Sequence, residues 1–283
     1  RPHYINIKAE INTQAFDKKQ FIEQGIDMLN LAYEQGVRHF DTAPGYGIAE
    51  QIILEWMAKH QPKNITISTK WGYTYVANFD ANATVHEVKE HSLTKLNEQW
   101  DYSSQLLPYL NTYQIHSATF DSGVLENKEV LKRLMEIKKQ HNVKIGFSAS
   151  GENQNEIIKK AFSIQVDEQE LFDSVQVSFN IFDQSLSEIA ALLTNKKIII
   201  KEALANGRVF LNKNYPHYKK AYQVLQSLSN KYKVGIDAIA LRFCYDSFPN
   251  STVLSGAAEQ AHLISNLKAQ NIQLESKDLN LLK

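Results

Sequence analysis

The feature that most limits the fold is an alternation of two hydrophobic periods, kept up along the whole chain. Short apolar runs rich in β-branched residues stand at 37–41 (VRHFD), 65–70 (ITISTK), 110–116 (LNTYQIH), 143–148 (VKIGFS), 174–180 (SVQVSFN), 197–202 (KIIIKE) and 251–256 (STVLSG). Each has the length of a buried parallel strand. Between them the period becomes helical: Ile22, Ile26, Leu29 and Tyr33; Val130, Leu134 and Ile137; Ala221, Leu225, Leu228 and Tyr232. Segments near 47–60, 86–99, 153–163, 185–194, 235–246 and 259–269 predict further helices, and no Pro/Ser-rich linker interrupts the series. Helices alternating with strands imply a parallel sheet with covered faces. Right-handed crossovers then leave a closed barrel or an open doubly wound sheet. A closed (β/α)8 TIM barrel needs one strand more than these seven. The missing first strand is expected upstream of Arg1, the alternative being the short polar stretch "HYINIKAEI" at the N-terminus. One α/β domain over residues 1–283 is expected.

Composition narrows the functional classes. With 283 residues, 43% of them hydrophobic, the chain can bury one sizeable core. Lys plus Arg number 31 and Asp plus Glu number 31, so the basic excess of a nucleic-acid binder is absent. A single cysteine, Cys244, allows no internal disulfide and argues against a Cys/His metal site. It points to a reducing, cytoplasmic setting. No apolar run approaches the ~20 residues needed to span a bilayer, and no signal peptide opens the chain. The partner expected is therefore a small molecule, without nucleic acid, membrane or metal.

Three successive strand candidates end in an ionisable residue: Asp41, Lys70 and His116. In a parallel barrel these ends open on the face where active sites sit. Tyr46, on the Gly/Pro-rich loop after the first strand, overhangs the same face. Taken singly, Asp41 reads as a helix cap or turn residue, Lys70 as a solvated rim, His116 as a packing histidine and Tyr46 as a turn cap. Together they form a coherent acid. Asp41 would hold Lys70 cationic, and a cationic Lys70 would lower the Tyr46 phenol from about 10 toward the working range. Tyr46 could then give a proton to a carbonyl oxygen, with His116 orienting that oxygen.

With these residues in place, "GVRHFDTAPGYGIAEQIILEWM", "ISTKWG" and "SLTKLNEQWDYSSQLLPYLNTYQIH" resemble the signature, lysine strand and histidine segment of the aldo-keto reductase family. The resemblance implies a (β/α)8 barrel, a tetrad of Asp41, Tyr46, Lys70 and His116, and NAD(P)H-dependent reduction of an aldehyde or ketone. It also implies cofactor contacts. Ser148 and Gln176 match the residues that hold the nicotinamide carboxamide, although Ala149 stands where the family usually has Asn. Lys201 falls where an aromatic usually stacks on the nicotinamide, followed by Leu204, and suits a pyrophosphate or an acidic substrate instead. Gly256 and Ala257 open a helix N-terminus that suits a phosphate, and Asn266 matches an adenine-contacting asparagine. His262 stands where an arginine usually clasps the 2′-phosphate of NADPH, with Glu259 nearby. Arginine is the strong phosphate ligand, and a carboxylate near the ribose favours a free 2′-hydroxyl. NADP(H) or NAD(H) is expected, with relaxed or NADH-leaning use.

Trp71, Tyr73, Phe120 and Phe182 follow strand ends and are expected to line a substrate pocket, with the polar loop from Tyr75 to Ala83 as a cover. A sugar or other small carbonyl suits such walls. Two other readings stand beside the reductase: a nucleotide-binding regulatory or partner protein without turnover, and a sugar epimerase or dehydratase that uses the cofactor transiently.

Overall fold

A computed structural model of the chain describes residues 16–80, 82–212 and 214–283. The stretch "HYINIKAEI" lies outside the described residues, as does Ala81 in the loop after Tyr75. Contacts group the chain into two units, one running to Ser148 with Phe162–Phe172 added, the other Ala149–Ala161 with Asp173–Lys283.

In the first unit, α1 (Lys18–Glu34) leads into β1 (His39–Asp41), α2 (Ala49–His60) into β2 (Thr66–Trp71), and α3 (Leu93–Ser103) into β5 (Leu110–Ile115). Last, α4 (Lys128–His141) leads into β6 (Lys144–Ala149). Strands β1, β2, β5 and β6 pair in that order, all parallel. Local caps set the helix starts, as side-chain oxygens accept otherwise unpaired backbone N–H groups. Asp17 caps α1, Ser92 caps α3 and Asn127 caps α4.

The strands present two different faces. One packs on helices, Phe40 against Trp56 at 4.9 Å, Tyr113 against Trp100 at 5.0 Å and Phe147 against Phe162, with Phe147 also meeting Phe172 of the segment before β9. The period of two sends the alternate residues to the other face. Those are His39 and Asp41 of β1, Thr66, Ser68 and Lys70 of β2, Thr112 and Gln114 of β5, and Gly146 and Ser148 of β6. Parallel barrel strands usually fill this face with branched apolar residues. Here it carries polar side chains on β1, β2 and β5 and, at Ser148, on β6.

Two hairpins depart from the expected helices and loops. Residues 86–92 are not the start of a helix. Glu87–Lys89 forms β4, antiparallel to β3 (Tyr73–Tyr75). Val85, Val88, Leu93 and Leu96 imitate a helical stripe, but the helix begins only after its Ser92 cap. The expected cover loop is the tip of this hairpin. Its Phe79 stacks on Phe16 at 4.2 Å and donates its backbone N–H to the Tyr75 hydroxyl at 2.8 Å. The second hairpin, β7 (Gln165–Val166) with β8 (Gln169–Glu170), is two residues per strand, too short for any period to show.

In the second unit, β9 (Ser174–Ser178), β10 (Lys197–Lys201) and β11 (Thr252–Val253) pair in parallel. Its helices are α5 (Gln154–Phe162), α6 (Lys219–Tyr232), α7 (Ile236–Ser247), α8 (Gln260–Leu267) and α9 (Ser276–Leu282). The expected α6 stripe is buried at Leu225 and Leu228, whereas Ala221 and Tyr232 are only half-buried and Tyr222 is the third buried residue. The helix expected at 185–194 is instead a tighter 3₁₀ segment broken at Ile189. Cys244 is buried, and its thiol, pushed well up by burial, donates to the Phe179 carbonyl. It is a packing residue.

Candidate active site

The C-terminal ends of β1, β2 and β5 bring three of the sequence-expected residues together. Lys70 Nζ donates to Asp41 Oδ2 at 2.5 Å and to the Thr42 carbonyl at 3.0 Å. The register makes this possible: Asp41 pairs with Ser68 and Lys70 with Gln114, so the acid, the amine and the amide share one face. Ser68 Oγ donates to Asp41 Oδ1 at 2.5 Å, and Gln114 Nε2 approaches the same oxygen at 3.5 Å. The Lys70 side chain is 1% exposed and that of Asp41 9%. Burial pushes the Lys70 ammonium down, but the Asp41 carboxylate and then Tyr46 more than offset it. Lys70 therefore stands above the ordinary lysine value and stays cationic.

Tyr46 reaches this pair through a one-turn 3₁₀ helix, Pro44–Tyr46, closed by Gly47 at φ +70°. That φ favours glycine. Gly45 is buried, and a Cβ there would stand 3.0 Å from Tyr73 Cβ and 3.6 Å from His116 Cε1. The glycine thus lets the turn press against the neighbouring strands. Lys70 Nζ lies 5.0 Å from the Tyr46 ring centroid. The His116 ring meets the Tyr46 ring edge-on at 5.6 Å and the Tyr73 ring at 4.6 Å. Tyr46 is 37% exposed while Lys70 and His116 are buried, so the tyrosine is the accessible member of the group.

Two supporting residues were not foreseen as site residues. His91, in the segment before α3, packs over Gly72, where its ring leaves no room for a Cβ. Its Nε2 bonds the His116 carbonyl at 2.9 Å. A carbonyl only accepts, so Nε2 carries the proton. Burial, then the Lys89 ammonium, pushes this imidazole down to about 4, against the opposing pull of that hydrogen bond. The His116 backbone is held on its other side too: its N–H donates to the Trp71 carbonyl, and the next N–H, of Ser117, donates to Ser148 Oγ at 2.8 Å. The second residue is Glu50, buried in α2. It accepts from Thr69 Oγ1 at 2.6 Å and Ser103 Oγ at 2.8 Å, and burial raises its carboxyl above the ordinary value. It ties α2 and α3 to the strand that carries Lys70.

His91 gives the fold a pH dependence. Unfolded, it titrates near 6.5; folded, only near 4. Between these values the unfolded chain binds more protons, so stability present above pH 6.5 is lost as pH falls toward 4, by at most about 3 kcal/mol. Urea unfolding at pH 7 and pH 5 is expected to show a larger drop for the wild type than for His91→Gln. Equal drops would remove the assignment.

Of the expected pocket residues in this unit, Tyr73 is half-buried beside His116 and Phe120 is 46% exposed. Trp71 is fully buried with its ring against His91, so its indole is packing rather than open wall. In the second unit, Phe182 stacks on Tyr218 at 4.1 Å. Gln176 is buried on β9. Lys201 Nζ donates to Ser178 Oγ at 2.9 Å and pairs with Glu202 at 3.2 Å. The loop that holds Leu204 has left-handed backbone at Glu202, Ala205 and Asn206, a strain that concentrates at functional loops. Gly256 is exposed with open space around it, and Glu259 and His262 are exposed at the start of α8. Asn266 is buried, its amide best satisfied with nitrogen toward Asp237 Oδ2 (2.7 Å) and oxygen toward Ser255 Oγ (2.8 Å).

A family model described as the aldo/keto reductase family matches residues 12–283. The chain belongs to the aldo/keto reductase family. It is 22% identical to the "NADH-specific methylglyoxal reductase" of Escherichia coli (strain K12), over 91% of this chain and 86% of that protein. Solved structures of the same fold include the thermostable aldo-keto reductase Tm1743 (TM-score 0.69, 22% identity, 94% of this chain and 88% of that one). Another is the glycerol dehydrogenase AKR11B4 from Gluconobacter oxydans (TM-score 0.70, 19% identity, 92% and 84%). These likenesses place the chain in the (β/α)8 barrel class. Aldo-keto reductases are oxidoreductases that use NAD(P)H on small carbonyl substrates. Among the described residues, no helix is long and apolar enough to cross a membrane and no group of residues is arranged to hold a metal ion.

Proposed function

We propose that this aldo-keto reductase reduces a small aldehyde or ketone with Tyr46 as general acid. The observation that carries the reading is the buried, cationic Lys70 held between Asp41 and the accessible Tyr46. As Tyr46 gives its proton to the substrate oxygen, the Lys70 ammonium stabilises the negative charge left on the phenol. Asp41 keeps Lys70 charged. His116, fixed through its backbone, directs the substrate oxygen by hydrogen bonding. Tyr73 and Phe120 offer aromatic surface to a carbon skeleton or sugar face.

Each unit carries groups that suit part of a dinucleotide. In the first, Ser148 is a candidate for a carboxamide; in the second, Gln176 would suit a carboxamide, Lys201 a pyrophosphate oxygen, the open stretch at Gly256 and Ala257 a phosphate, and Asn266 the adenine end. Leu204 would give an apolar contact. When bound, NAD(P)H supplies the hydride. The single buried cysteine suits a cytoplasmic setting.

The reading extends to the nucleotide. Glu259 and His262 are exposed at the start of α8; matched to the family pattern, they would meet a 2′-phosphate without the arginine that grips it. A relative over most of this chain carries the name of an NADH-specific enzyme. Relaxed or NADH-leaning use is expected. Fluorescence titration with each nucleotide checks it, and a tenfold or greater preference for NADPH would overturn it. NAD(P)H oxidation across a panel of small aldehydes, ketones and sugars tests the reaction itself. Tight nucleotide binding with no turnover on any of them would favour a regulatory role instead.

A further inference from the structure

The hydrogen bonding does not stop at Asp41. His39 Nε2 lies 3.1 Å from Ser68 Oγ, and His39 Nδ1 lies 3.1 Å from Thr66 Oγ1. With Ser68 to Asp41 at 2.5 Å and Lys70 to Asp41 at 2.5 Å, a continuous line runs along β1 and β2 from Thr66 to the amine beside Tyr46. We infer that Ser68 and His39 are positioning residues for the Asp41–Lys70 pair, the serine fixing one carboxylate oxygen so that the other faces Lys70.

The polarity of the line follows from its chemistry. Asp41, paired with an ammonium, is a carboxylate and only accepts. Ser68 therefore commits its one proton to Asp41 Oδ1. Its oxygen is left to accept from His39, so His39 must carry a proton on Nε2. That holds for the neutral Nε2 tautomer and for the imidazolium, and it excludes the neutral Nδ1 tautomer. Thr66 Oγ1 serves either state, donating to a bare Nδ1 or accepting from Nδ1–H, because it also has the Arg38 carbonyl at 3.4 Å.

A purely packing role suits these residues poorly. Their positions on the strand face are the ones parallel barrels usually give to branched apolar side chains. A hydroxyl and an imidazole there make a polar network whose members are each bonded to the next, which rigidifies the groups it holds. The group held is the carboxylate that keeps Lys70 in place.

The catalytic consequence rests on the function proposed above, so two measurements are paired. The first ignores turnover. Long-range ¹H–¹⁵N spectra of the imidazoles, with His39 assigned by its loss in His39→Gln, are expected to show a proton on Nε2. A neutral Nδ1–H tautomer would overturn the inference whether or not the protein reduces carbonyls. The second is kinetic. Ser68→Ala is expected to lower kcat by about tenfold or more, with KM within about twofold, because the carboxylate loses its fixed direction while substrate contacts persist. It should also shift the pH profile of kcat. Ser68→Thr restores the hydroxyl and most of kcat. His39→Gln keeps an N–H donor and stays near wild type, while His39→Leu follows Ser68→Ala. Wild-type kcat and pH profile in Ser68→Ala would overturn the positioning role. A wild type that turns over no carbonyl would count against the proposed reaction, and the spectra would still decide the line.

Discussion

Tyr46→Phe is expected to lower kcat/KM for carbonyl reduction by roughly 10²- to 10⁴-fold, the range for loss of a positioned general acid. The substitution removes one oxygen and leaves the ring. The edge-on contact with His116 and the approach of Lys70 to the ring therefore survive. Nucleotide affinity and the unfolding midpoint should stay close to wild type, which separates a chemical loss from a folding loss. Turnover near wild type in Tyr46→Phe would rule out the acid role and point to His116 instead.

Lys70→Met is expected to cost both activity and stability. The methionine nearly matches the lysine stem but leaves the Asp41 carboxylate buried without its cation. Breaking a buried pair on one side typically costs about 3–5 kcal/mol. Carbonyl reduction should fall at least as far as in Tyr46→Phe, because the phenol loses the charge that supports its proton transfer. The pH dependence has a definite sign. Lys70 stands above its unfolded value of about 10.5, so its contribution to stability is complete below that pH and is lost as pH rises through the folded value. Wild type should thus weaken at alkaline pH more steeply than Lys70→Met. Parallel alkaline curves in denaturant titrations would contradict the assignment.

Much of this was legible because strand residues alternate and strand ends are polar for a reason. Asp41, Lys70 and His116 could be found from the strand runs that precede them, and parallel pairing then puts them on one side. Tyr46 was legible from the two glycines around it, each required by the turn. What stayed hidden has a physical cause in each case. The β3–β4 hairpin was masked because Val85 and Val88 sit at helical spacing from Leu93 and Leu96. His91 gave no signal, since its role depends on the Gly72 surface that admits its ring. The burial of Trp71 follows from its place next to Lys70: one faces the site, so the other faces away. The line through Ser68 and His39 was likewise present in "HFD" and "ISTK", but only the register sets Asp41 beside Ser68 and makes it a line.

Trp56, Trp71 and Trp100 are all buried, and all three lie in the unit that carries Asp41, Tyr46, Lys70 and His116. The chain has no other tryptophan. Its tryptophan emission is therefore a one-sided gauge. It arises wholly from the unit of the acid group, while the unit that holds Gln176, Lys201 and Asn266 contributes only tyrosine emission, from residues such as Tyr218 and Tyr222.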